Sequence, residues 1–157
     1  MQLTTFADYS LRVLIFLAQR GGATTTIREV AQTHGVSENH LMKVVHLLAK
    51  RGYVKTMRGK GGGIVLAREA STITVGTVIR DVEPLTPVEC FQSDYDGKCL
   101  LFPNCRLRGV LSQAQAQFLS KLDDCSIADL LVPSRRTTKP ATRPPPVRRP
   151  RARAAIG

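Results

Sequence analysis

The sequence predicts a mainly α-helical chain with a small β wing, that is, a winged helix-turn-helix domain plus a long dimerisation helix. Three observations predict it. Two short amphipathic segments meet at Gly35-Val36-Ser37, the pattern of a helix-turn-helix. A basic glycine-rich stretch, RGKGGG, separates two runs of strand character. Beyond Asn104, Leu107, Leu111, Ala114, Phe118 and Leu122 recur at spacings of four, three, four and four, a coiled-coil-like seam.

Each element has a local cause. Thr5-x-x-Asp8 reads as a capping box opening a helix that runs to about Gln19, with Phe6, Tyr9, Val13 and Phe16 at core spacing. Gly21-Gly22 ends it. Thr26-x-x-Glu29 caps a short second helix that points Ile27, Val30 and Ala31 inward. Gly35 then permits a sharp turn, Val36 plugs it, and Ser37 caps a third helix burying Leu41, Val44, Val45 and Leu48 before Gly52. Val75 to Val82 reads as a short helix stopped by Glu83-Pro84, and Ser126-x-x-Asp129 caps a last short one.

The second helix of such a pair enters the DNA major groove. Ser37, Glu38, Asn39, His40 and Lys43 are its candidate DNA-binding residues. Asn can bond adenine in bidentate fashion, and Lys suits guanine or phosphate. At the wing, Arg58 and Lys60 can reach phosphates or a minor groove while Gly61 and Gly62 let the backbone approach. Helix–Gly–helix segments also occur in ordinary helical domains, and a basic glycine hairpin is also an ordinary solvated turn. RGKGGG is not a phosphate loop, because no GK[ST] follows. His34, His40 and His46 are six apart, which does not gather them on one helix face as ligands.

Charge decides between these readings. The net charge is +11. Residues 1–68 carry ten Lys/Arg against three Asp/Glu, residues 69–132 carry five against nine, and residues 133–157 carry eight cations and no acid. The basic first part points to a polyanion partner, most simply double-stranded promoter DNA. Three units are expected: a winged helix-turn-helix DNA-binding domain over 1–70, a cysteine loop and dimerisation helix over 71–132, and a disordered basic Pro/Arg-rich tail over 133–157. No apolar run reaches the roughly 18 residues of a membrane span, and no export signal is read, so a cytoplasmic protein without membrane partners is expected. No Ser/His/Asp set, paired catalytic carboxylates or nucleotide loop appears, so an enzyme is not expected.

The stretch CFQSDYDGKCLLFPNC carries Cys90, Cys99 and Cys105, three of the chain's four cysteines. In the cytoplasm structural disulfides are rare. Zinc sites favour close-spaced pairs, and Cys90-x8-Cys99-x5-Cys105 has none. Cys105 falls at the start of the long helix, where free N–H groups, Arg106 and Arg108 make an electropositive setting for sulfur. Iron–sulfur clusters tolerate wider spacing but usually take four ligands, so one is missing. Cys125 lies beyond the long helix and is expected to be a small buried residue. An iron–sulfur sensor, a thiol redox sensor and inert cysteines all remain open on these grounds.

The chain resembles the family of bacterial iron–sulfur transcription regulators that contains NsrR and IscR. The resemblance covers residues 1–132 and rests on MQLTTFADYSLRVL, GVSENHLMKVV, LAKRGYVKTMRGKGGGIVLAR, ITVGTVIRDVEPL and the three cysteines followed by the long helix. It implies a homodimer in which Cys90, Cys99 and Cys105 hold an iron–sulfur cluster, 4Fe-4S favoured over 2Fe-2S. In the NsrR-like branch an Asp on the partner's first helix completes the cluster, which implies Asp8, although Asp8 also suits a salt bridge to Arg12. The IscR-like branch uses a His after the third cysteine, where this chain has Arg106-Leu107-Arg108. The nearest resemblance is therefore to the nitric-oxide-sensing repressors, which release DNA when nitric oxide reacts with the cluster. The alternative is an iron–sulfur-status or thiol-redox-sensing regulator.

Overall fold

The computed structural model describes residues 3–59, 61–102 and 104–131. Lys60 and the expected tail over 133–157 lie outside the described residues. Helix α1 spans Thr5–Gln19, α2 Ile27–His34 and α3 Glu38–Lys50. Strands β1 (Val54–Met57) and β2 (Gly63–Leu66) pair antiparallel, with Val54 opposite Leu66 and Met57 opposite Gly63. Helix α4 spans Val75–Val82 and α5 Arg106–Asp123. This is the expected mainly α architecture with a two-stranded wing.

The caps show why the helices begin where they do. Thr26 accepts the Glu29 N–H at 3.1 Å, as expected. The Glu29 carboxylate does not return to Thr26 but pairs with Arg20 on the preceding helix. The cap of α1 is Thr4, not Thr5: its hydroxyl accepts the Ala7 N–H at 3.2 Å. The carboxylate that completes this cap is Glu83, which accepts from the Thr4 N–H at 2.8 Å and its hydroxyl at 2.7 Å. Asp8 is thereby free of capping and pairs with Arg12 instead. Ser37 stands at the N-cap of α3 without a side-chain cap bond. Ser126 and Asp129 do form a reciprocal box, at 2.8 and 3.2 Å.

The core lies where α1, α2, α3 and the wing meet. Val13, Leu14, Leu17, Val30, Leu41, Val44, Leu48, Tyr53 and Ile64 are buried there. Phe6, Tyr9 and Ile27 are only partly buried against it. Thr25 joins β2 through a bridge to Ile64, with bonds of 3.1 and 2.7 Å, so the chain before α2 extends the wing's sheet. Ile73, Val78 and Ile127 enter the same core from beyond residue 70. A smaller cluster of Ala7, Val75 and Ile79 has Leu119, Leu122 and Cys125 packed against it. Cys125 is thus half-buried beside the core rather than fully buried.

Helix α4 sits between α1 and α5 and is tied by polar contacts on three sides. Arg80 makes a bidentate pair with Asp123 at the end of α5, at 2.6 and 2.5 Å. That pairing lowers the Asp123 pKa, mainly through the hydrogen bond from Arg80. Asp81 accepts the Tyr53 hydroxyl at 2.5 Å, linking α4 to the root of the wing. Glu83, just past the helix, holds the start of α1 as described above. Arg80, Asp81 and Glu83 therefore join the long helix, the root of the wing and the first helix.

Candidate functional site

Ser37, Glu38, Asn39, His40 and Lys43 all lie exposed along the first half of α3, whose opposite side carries the buried Leu41, Val44 and Val45. The geometry follows from the helical period: the core takes one stripe and leaves the rest to solvent. Glu38 is paired with Arg28 of α2 at 3.2 Å, which sets its carboxylate toward α2. Arg58 is exposed at the end of β1. Gly61 turns with φ +84, and the Gly62 N–H closes the tip on the Gly59 carbonyl at 2.9 Å. A Cβ on Gly62 would sit 2.5 Å from the Met57 carbonyl oxygen, so a side chain there would open the wing tip.

The cysteine loop is more ordered than a Gly- and Asp-rich stretch predicts. Cys90 lies in a 3-10 turn, Glu89–Phe91, and is half-buried; Cys99 is exposed. The long helix starts at Arg106, two residues later than expected, because Cys105 is its N-cap and its sulfur accepts the Arg108 N–H at 3.4 Å. The Tyr95 hydroxyl accepts the Cys99 N–H at 2.7 Å, and its ring meets Phe102 edge-on at 5.3 Å. Burial pushes the Tyr95 pKa up, against the pull of that hydrogen bond. The Arg108 guanidinium lies over Phe91 at 5.3 Å and donates to the Cys90 carbonyl at 3.2 Å. Phe91, Tyr95, Phe102 and Arg108 thus form a small frame that holds the backbone at Cys90 and Cys99 and the sulfur of Cys105. The sequence reading missed this frame, although an aromatic directly after Cys90 and another three residues after Cys99 were visible signs of it.

All four cysteines are free thiols. Among the described residues, no three His, Cys, Asp or Glu side chains converge on a ready metal position. His34 instead meets Phe16 edge-on at 5.6 Å. Asp8 stays about half exposed on α1, 2.9 Å from Arg12, and the pairing raises the Arg12 pKa. The structure therefore brings Cys90 and Cys105 to a common residue, Arg108, and leaves Asp8 of the same chain in a separate ion pair.

Residues 3–133 match the Rrf2 family, described as iron-dependent transcriptional regulators. The chain belongs to the Rrf2 family. Its members are DNA-binding transcription regulators that function as dimers. Among solved structures, CymR (YrzC), the global cysteine regulator of B. subtilis, is similar at 32% identity and TM-score 0.65, over 83% of this chain and 95% of that one. IscR of T. potens is similar at 27% identity and TM-score 0.65, over 83% of this chain and 86% of that one. CymR of Staphylococcus aureus, at 23% identity and TM-score 0.64 over 81% and 95% of the two chains, shares the fold. The winged helical architecture and the family expected from the sequence both agree with these Rrf2 relatives. Among the described residues no helix is long and apolar enough to cross a membrane.

Proposed function

We propose that this chain is a cytoplasmic, homodimeric repressor that binds promoter DNA with an iron–sulfur cluster on its cysteine loop and lets go in response to nitric oxide. One observation carries the reading: three free thiols, none fully buried, share a loop that runs directly into α5. The donor set fits the group, since iron–sulfur clusters are held by Cys thiolates. Cys90, Cys99 and Cys105 would hold it, with the partner subunit's Asp8 as the remaining ligand and 4Fe-4S favoured over 2Fe-2S. When bound, the group supplies iron that reacts with nitric oxide.

The chain's own residues supply the coupling. Asp8 must leave Arg12 to serve a neighbouring subunit, an exchange that costs little because the pair is half exposed. Helix α1 packs against α3, so a tie at Asp8 bears on the recognition helix through the core. Losing that tie changes how the two recognition helices of a dimer are spaced. Ser37, Asn39, His40 and Lys43 would contact the major groove, with Glu38, and Arg58, Lys60, Gly61 and Gly62 would contact the backbone or minor groove.

Anaerobic purification followed by iron, sulfide and visible absorbance measurements tests the reading. Iron, sulfide and a visible band that nitric oxide bleaches, together with a fall in DNA affinity, are expected. Colourless, iron-free protein would sink the cofactor. An Asp8→Ala variant with an unchanged spectrum and unchanged cluster lifetime would remove Asp8 from the ligand set. A second reading, a thiol-redox regulator without a cluster, is favoured by the likeness to a cysteine regulator. DNA affinity that responds to diamide but not to nitric oxide would decide for it.

A further inference from the structure

Arg108, in the first turn of α5, touches both ends of the cysteine loop. Its backbone N–H donates to the Cys105 sulfur at 3.4 Å. Its Nε donates to the Cys90 carbonyl at 3.2 Å. Its guanidinium lies over the rings of Phe91, at 5.3 Å, and Phe102, at 6.0 Å. Phe102 in turn donates its N–H to the Cys99 carbonyl at 3.0 Å. Among the described residues the ion pairs do not include Arg108.

We propose that Arg108 is the positioning residue of the cysteine loop: its guanidinium, set against Phe91 and Phe102, fixes the Cys90 end of the loop to the Cys105 end. The proposal rests on the reading of this loop as the sensing element and deepens it. A guanidinium suits the task because it is planar. It can stack on aromatic rings with its faces while Nε donates in the plane. A lysine ammonium carries the same charge but has no plane and cannot do both. The clamp acts on the backbone around Cys90, which has no secondary structure beyond one 3-10 turn to hold it.

The test uses Arg108→Lys, which keeps the charge and removes the planar fork. Reduced, cofactor-free, full-length protein is alkylated with iodoacetamide, an uncharged reagent, and each cysteine is followed by mass spectrometry. Cys125, packed beside the second core cluster, is the internal reference for general loosening. The Cys90-to-Cys125 rate ratio is expected to rise about five-fold, the size of one exposed charge-assisted hydrogen bond. An unchanged ratio would overturn the clamp, since charge alone would then suffice. A parallel rise at Cys125 would also overturn it, as global loosening. In anaerobically loaded dimer the same variant should lose iron to a chelator several-fold faster than the native chain. If neither protein holds iron, the cluster reading fails, while the alkylation ratio still judges the clamp.

Discussion

Between Val13 and Ile64 the chain buries a continuous apolar core, whereas α5 buries no residue over its 18 positions. The first region is held by side-chain packing among three helices and a wing. The second leans on the smaller cluster of Ala7, Val75 and Ile79 through Leu119 and Leu122, which are only partly buried. It is tied by the Arg80–Asp123 pair, the Glu83–Thr4 cap and the Arg108 frame. Polar contacts at partly exposed positions contribute little each. The difference teaches that the helix-turn-helix and wing close on a core, with Ile73, Val78 and Ile127 added to it, while α5 keeps an incompletely covered face. Leu107 at 59% exposure and Val110 at 61% are the apolar surface that this incompleteness leaves.

The comparison breaks most directly at its strong side. Leu48 has no solvent exposure, and Leu48→Ala should cost about 2–5 kcal/mol through lost transfer energy and a residual cavity. Urea unfolding at two protein concentrations should show the same loss at both. A cost below about 1 kcal/mol would mean that the core relaxes around the site and is not the rigid half supposed here.

The joint between the regions comes next. Gly76 of α4 faces α5 so closely that a Cβ would lie 2.1 Å from Asp123 Oδ1 and 2.9 Å from the Leu119 carbonyl oxygen. Gly76→Ala should therefore push α4 from α5 and loosen the Arg80–Asp123 pair, at about 1–3 kcal/mol. Helix propensity alone predicts the opposite, a gain of about 1 kcal/mol. A stabilised variant in thermal melts would show that the joint has room to spare.

Tyr53 reports the tie from α4 to the wing. Tyr53→Phe removes the bond to Asp81 and should cost about 1 kcal/mol near neutral pH. Burial, and then the Asp81 hydrogen bond, push the Tyr53 pKa from 10.0 up to about 12. The folded value lies above the unfolded one, so the stabilisation is complete below pH 10 and fades as pH rises through about 12. Native and Tyr53→Phe stabilities should converge over that window. A constant gap between them would place the hydroxyl's contribution elsewhere.

How much of this was legible follows the same division. Helix periods, Gly35 and the Thr26 cap are local patterns, and they placed α2 and α3 with Val30, Ala31, Leu41, Val44, Val45 and Leu48 buried as expected, Ile27 being only partly covered. The start of α1 was displaced by one residue because the carboxylate on its cap is Glu83, 79 positions away, and no local pattern carries that pairing. Cys105 was expected inside α5 but caps it, since a thiol is an unusual cap and Ser, Thr, Asp or Asn is normally sought there. The three cysteines stood out by spacing. The frame around them did not, because Phe91, Phe102 and Arg108 meet only after the loop has closed.

The smallest effect on a single chain, and the sharpest on the comparison, is expected at Leu107 and Val110. Both side chains are mostly exposed, so a Leu107→Ser, Val110→Ser double variant removes almost no buried area from one subunit. Its unfolding at high dilution should stay within about 0.5 kcal/mol of the native chain, as for ordinary surface changes. In a dimer built on α5 the same positions lose their apolar cover, and each buried side chain is worth about 1.5–3 kcal/mol. Sedimentation equilibrium should then show dissociation at least ten-fold weaker in affinity, a change of about 1.4 kcal/mol. Loss of single-chain stability without dissociation would reverse the assignment. It would make this face part of the chain's own fold.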